Sequence, residues 1–248
     1  MAMDKISPVS VTLTIETTPS VRLYDSRSTL LERVGDLGLT DRFLVNNDRV
    51  SVILDGPREL RVTLTEVSLT SFVPTADDSL AQILEGVDSV LQPHATSISV
   101  GVQHLIPVSE NYEEARAAIG RGLLGRFVAS TGLTDFALLF DGHDKKADVN
   151  YQAEFGVVSA DEAPLRLGRY LGRISGRRES PLIGHLMEQH YSDVSLFCDS
   201  TWHPELPDTV DFSTHALLTA RHISECANSM VGAICRAVSL QDGLEAHS

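Results

Sequence analysis

Alternating apolar and polar residues open the chain. Val11-Thr12-Leu13-Thr14-Ile15-Glu16 has the two-residue period of a half-buried strand. Ser26 to Leu37 is short and mildly helical, and Arg49 to Leu54 reads as a strand. Asp55-Gly56-Pro57 breaks that strand, because glycine tolerates positive φ and proline cannot extend a ladder. Leu60 to Leu69 alternates again, with Leu60, Val62 and Leu64 on one face and Arg61, Thr63 and Thr65 on the other, so the two runs form a hairpin. Thr75-Ala76-Asp77-Asp78 has the form of a capping box, with Asp in place of the preferred Glu. Leu80, Ile83, Leu84, Val87, Val90 and Leu91 follow at helical spacing as one apolar stripe, which Pro93 ends. Ser97 to Leu105 reads as a strand and Glu113 to Val128 as a helix.

The same order then returns. Phe136 to Phe140 is a strand, Asp141-Gly142 a turn, and Ala147 to Val158 the return strand. Ser159-Ala160-Asp161-Glu162 caps a helix over 161–175, Asp193 to Cys198 is a strand, and Phe212 to Val238 is a long closing helix. Matching turns, caps and element order at nearly one offset predict an α+β protein of two pseudo-repeated ββαβα units. Each unit is expected to be a mainly antiparallel sheet with helices packed on one face, the two pairing about a pseudo-two-fold axis. The first half spans residues 1–130 and carries an extra N-terminal strand. The second spans 131–248, with an insertion near 176–192 and the long C-terminal helix.

Composition narrows the function classes. With 34 acidic against 20 basic residues the net charge is −14, which repels a phosphate backbone, so nucleic acid is not an expected partner. Three cysteines without repeated spacing argue against a disulfide framework and for a reducing compartment. Met1 to Val9 lacks the apolar core of a signal peptide, and no run approaches 18 apolar residues. The expectation is a cytoplasmic protein without a membrane segment.

One resemblance is carried by particular residues. Val194-Ser195-Leu196-Phe197-Cys198-Asp199 is an apolar strand ending in an acid. Val210-Asp211 and a helix bearing His215, His222 and Ile234 follow it. This resembles the close of a sporadically distributed bacterial family of unknown function. Ile98-Ser99-Val100-Gly101-Val102-Gln103-His104 is similar to that family's mid-chain strand, with Gln103-His104 where the family has an aromatic residue and Asn. The resemblance implies a bacterial, two-part α+β protein and carries no activity.

Several constellations bear on chemistry. His185 and His190 are five positions apart, which puts them on different helix faces, so they fail the two-histidine zinc-protease geometry. His215, His222 and Cys226 share one helical stripe of zinc-compatible donors, though His215 and His222 are nearly two turns apart. Asp141, His143 and Asp144 lie where a turn is expected and have the oxygen donors of a hard-cation site, with Lys145 and Lys146 opposing it. Arg166, Arg169 and Arg173 share a helix face and lead to Arg177 and Arg178, a candidate anion-binding surface. Gly120, Gly122 and Gly125 sit in a helical pattern, which argues against a phosphate loop.

The reading is a non-enzymatic binding or assembly protein with a protein partner or self-association and no cofactor. The first alternative is a metal-dependent or hydrolase-like enzyme using His215, His222, Cys226 or Asp199. The second is an anion- or nucleic-acid-binding module built on the Arg face of the 161–175 helix.

Overall fold

The computed structural model describes residues 6–37, 39–54, 58–71, 78–107, 112–124, 137–167, 194–206 and 212–245. Strand β1 (Ser10–Thr17) leads to helix α1 (Arg22–Gly35) and then to four strands. These are β2 (Leu39–Val45), β3 (Arg49–Leu54), β4 (Arg58–Thr63) and β5 (Glu66–Ser71). Helix α2 (Asp78–Leu91), strand β6 (Ala95–Pro107) and helix α3 (Tyr112–Ile119) follow, and α3 runs into a π turn at Gly120–Leu124. The remainder is β7 (Ala137–Asp144), β8 (Val149–Ser159), α4 (Ala163–Leu167), β9 (Val194–His203) and α5 (Phe212–Glu245).

The nine strands of the described residues join one sheet in the order β2-β3-β4-β5-β1-β6-β9-β8-β7, and every neighbouring pair is antiparallel. The chain is therefore α+β. The sheet runs unbroken across the expected boundary at residue 130, because β6 pairs with β9. The strands before and after that boundary lie in one layer and do not form two facing sheets.

The expected ββαβα unit does not describe the first half. The run from Leu60 to Leu69 is two strands, β4 and β5, that meet around Leu64-Thr65, where Thr63 Oγ1 accepts from the Thr65 amide at 3.4 Å. Both β5 and β6 pair with β1, so α2 crosses over a central strand. In the second half α4 lies between β8 and β9, which are direct antiparallel neighbours. Strand β2 was not foreseen.

Asp141-Gly142 is not a turn either. Asp141 pairs with Gln152 and Gly142 with Tyr151 inside the β7–β8 ladder. The chain reverses at 145–148, where Asp144 Oδ1 accepts the amides of Lys146 (2.8 Å) and Ala147 (3.0 Å) and Asp148 takes a φ of 56°. Asp144 thus fills the turn-forming role expected of Asp141. Asp55-Gly56-Pro57 and Thr75-Ala76-Asp77 lie outside the described residues.

Alternation along each strand separates two faces. Leu13, Ile15, Val52, Leu60, Val62, Leu69, Val100 and Val102 bury against Leu23 and Leu30 of α1, Ile83, Leu84 and Val87 of α2, and Ala220, Ile223 and Ala227 of α5. A second apolar cluster joins Ile119 of α3, Phe155, Leu196, Cys198 and Val231. The other face is polar along its centre, with Ser10, Thr12, Ser68, Thr70 and Gln103 all buried. Thr12 and Thr70 hydroxyls meet across the β1–β5 pair at 3.0 Å. Helix α4 lies on this polar face, because Arg166 sits over Phe197. Helices therefore pack on both faces, unlike the one-sided layer expected. Pro164 in the first turn of α4 costs no helical hydrogen bond. Glu162 Oε2 accepts the Ser159 amide at 3.2 Å, which is the back-reaching half of a capping box.

Candidate functional site

One polar assembly follows from strand register. Ser10 faces Gln103, Gln103 faces Asp199, and Asp199 faces Glu154, so four polar side chains from β1, β6, β9 and β8 stand in one row. Ser10 Oγ donates to Gln103 Oε1 at 2.7 Å. Gln103 Nε2 donates to the Arg166 carbonyl at 3.2 Å and lies 3.5 Å from Asp199 Oδ2. The Arg166 guanidinium bonds Glu154 Oε1 at 2.5 Å and rests 4.6 Å from the centroid of the Phe197 ring. Two carboxylates directly across a ladder repel, and Arg166 offsets that repulsion by pairing with one of them. Arg166 therefore turns toward the sheet and is committed there, where the Arg-face reading had it available to an anion. Arg169, Arg173, Arg177 and Arg178 lie outside the described residues, as do His185, Glu188 and His190.

The closing helix separates the histidine–cysteine stripe into two parts. His215 Nε2 meets Thr219 Oγ1 at 3.3 Å, and His222 Nε2 lies 3.9 Å from Cys226 Sγ. Seven residues of helix rise place His215 about 10 Å from His222, so the three do not converge. Among the described residues no three His, Cys, Asp or Glu side chains are grouped to hold a metal. Burial pushes the Cys226 thiol up, and the negative charges of Asp144 and Glu225 push it further, with Lys146 opposing. Asp144 is held below the usual carboxylate range, chiefly by the Ala147 amide, with Lys146 and His222 adding to the effect. His143 is occupied by Asn150 Oδ1 (3.1 Å) and Asp148 Oδ1 (3.3 Å).

Glu59 and His104 were not foreseen as buried ionisable groups. Glu59 on β4 is 3% exposed, and burial raises its carboxyl from 4.5 to about 8 against the pull of Arg61 and Arg49. Its Oε1 and the Ser51 Oγ on the same face of β3 have no hydrogen-bond partner among the described residues. His104 on β6 bonds Asn228 Oδ1 of α5 at 2.7 Å, and burial lowers its pKa. Glu59 lies just before the run read from Leu60, and the alternation that places His104 in a strand does not reveal that it is covered.

Exposed apolar residues lie at the β2 edge of the sheet. An open groove of about 520 Å³ runs between α1 and β2, lined by Tyr24, Arg27, Leu31, Phe43, Val45 and Asn46 among others. Phe43 and Val45, alternate residues of the edge strand, are 54% and 37% exposed. Arg27 Nη1 donates to the Asn46 carbonyl at 2.7 Å and ties α1 to the end of β2. Sequence reading missed this surface because it missed β2. Among the described residues no helix is long and apolar enough to cross a membrane. Compared with known proteins, the chain matches no family model and no curated protein.

Proposed function

We propose that the chain is a non-enzymatic binding or assembly protein whose working surface is the groove between α1 and β2. The observation that carries this reading is the exposure of Phe43 and Val45 on a strand that, among the described residues, is paired on one side only. An unpaired outer edge offers backbone N–H and C=O groups at strand spacing, and the groove beside it offers sites for alternate apolar side chains. Together they suit an extended segment of a partner protein, laid along β2 as a further strand.

The resemblance to the bacterial family belongs with this reading, as does a cytoplasmic location. So does internal duplication, in a unit shifted from the one expected. Its support is the strand order, which runs outward from β1 as β5, β4, β3, β2 and outward from β6 as β9, β8, β7. Each half so defined begins with a central strand, continues into a helix and ends with a helix after its second-innermost strand.

The experiment is photo-crosslinking in cells from a reactive residue at position 45, with a matched probe at Leu139 on the opposite edge strand. The expected result is one dominant adduct from position 45 that Phe43→Asp abolishes while the far-ultraviolet circular dichroism is unchanged. Equal adducts from both edges, or an adduct indifferent to Phe43→Asp, would sink the reading.

A further inference from the structure

We propose that His222 and Cys226 are half of a zinc site, completed by the same pair from a second copy of the chain. This goes beyond the expectation of no bound group. It uses a different surface from the α1–β2 groove, so either reading can fail alone.

The geometry begins with spacing. Residues four apart on α5 stand one turn above each other on one face. Their donor atoms, His222 Nε2 and Cys226 Sγ, are 3.9 Å apart. Zinc bonds of about 2.3 Å to sulfur and about 2.0 Å to nitrogen, opened at a tetrahedral angle, separate the two donors by about 3.5 Å. A small side-chain rotation closes the difference. His222 is exposed and Cys226 partly so.

One chain stops at two ligands, since among the described residues none gathers three. A closed structural zinc site needs four. The surrounding face is self-complementary. Arg221 and Glu225 form an i,i+4 pair at 3.7 Å beside His222 and Cys226. Crossing two α5 helices antiparallel about a two-fold axis at residue 224 sets His222 against the second copy's Cys226, and leaves Arg221 about 3 Å of helix rise from the level of the second copy's Glu225, within reach of the two long side chains. Leu218, 62% exposed, lies one turn before His222 and adds an apolar contact. Two thiols and two neutral imidazoles take one zinc(II), release two protons and leave a site with no net charge.

The test uses the full chain with zinc(II) and cobalt(II). Sedimentation should show a monomer without metal and a dimer with zinc, at one metal per two chains. Cobalt should give the near-ultraviolet thiolate charge-transfer band and the visible bands of tetrahedral coordination. Cys226→Ser and His222→Ala should each lose the dimer and those bands while keeping the circular dichroism of the parent. Cys198→Ser, which removes a buried thiol, should change neither readout. The proposal is overturned if zinc leaves the chain monomeric, if one metal binds per chain, or if the thiolate band survives Cys226→Ser.

Discussion

Gly142 packs its bare Cα against the ring of Tyr151, its partner across the β7–β8 ladder, and a Cβ at position 142 would overlap that ring. Tyr151 cannot retreat, because it stacks on Trp202 at 4.4 Å and meets Phe140 edge-on at 6.4 Å. Glycine serves here for close approach of a ring, not for a turn. Gly142→Ala should therefore destabilise the protein by about 1–3 kcal/mol through overpacking. Gly142→Ala combined with Tyr151→Leu should recover part of that loss relative to Tyr151→Leu alone. Urea unfolding of the four species measures the coupling, and additive effects would refute the contact.

Arg166 gives a second prediction. Replacing it by Met keeps an apolar stem over Phe197 but leaves Glu154 facing Asp199 without the guanidinium. Arg166→Met should cost about 1–2 kcal/mol, given that both partners of the ion pair retain some solvent access. Glu154→Gln in that background should restore stability, because the carboxylate repulsion goes with the charge. The salt dependence of the two variants' urea midpoints separates charge repulsion from lost packing.

The path from sequence to this site was uneven, for physical reasons. Alternation in β1 and the first part of β6 and the stripes of α2 and α5 were legible, since burial on one face imposes the period directly. Asp141-Gly142 misled because glycine answers two needs, positive φ and close approach, and composition does not say which. Phe43 and Val45 went unread because β2 follows α1 after a short link and pairs irregularly between Leu39 and Phe43. The row Ser10–Gln103–Asp199–Glu154 is made by pairing residues as far apart in sequence as 10 and 199. No local pattern reports such a register.

His104 should make the fold sensitive to mild acid. Burial lowers its pKa in the folded state, against a raising contribution from Asn228. Below the ordinary value of 6.5 the unfolded chain takes up a proton that the folded chain refuses. Stability is therefore lost as pH falls from 6.5 toward the lowered folded value, and the loss levels off below it. The difference in unfolding free energy between the parent and His104→Gln should narrow on acidification through that window. A difference independent of pH between 7 and 5 would show that His104 titrates normally.

Glu59 runs the opposite way. Its carboxyl is raised from 4.5 to about 8 because the buried charge is poorly solvated, and Arg61 and Arg49 only partly compensate. Arg61 is itself paired with Glu66 at 2.5 Å, which spends much of its field elsewhere. Between 4.5 and about 8 the unfolded chain releases a proton that the folded chain keeps. The stability contribution of Glu59 is thus fully present below 4.5, declines as pH rises and is gone above about 8. The total loss is on the order of a few kcal/mol, since each pKa unit corresponds to about 1.4 kcal/mol. Glu59→Gln keeps the shape and the neutral amide but removes the titration. The variant should match the parent near pH 4.5 and exceed it increasingly up to pH 8, where the gap becomes constant. Urea midpoints of both proteins across that range provide the check, and parallel pH profiles would mean that Glu59 is ionised in the folded protein at neutral pH. An ionised Glu59 would in turn require a partner for its orphaned Oε1, most directly the neighbouring Ser51 hydroxyl, which is buried and also unpartnered. Glu59→Gln combined with Ser51→Ala would then show a coupling that the neutral-acid account does not produce.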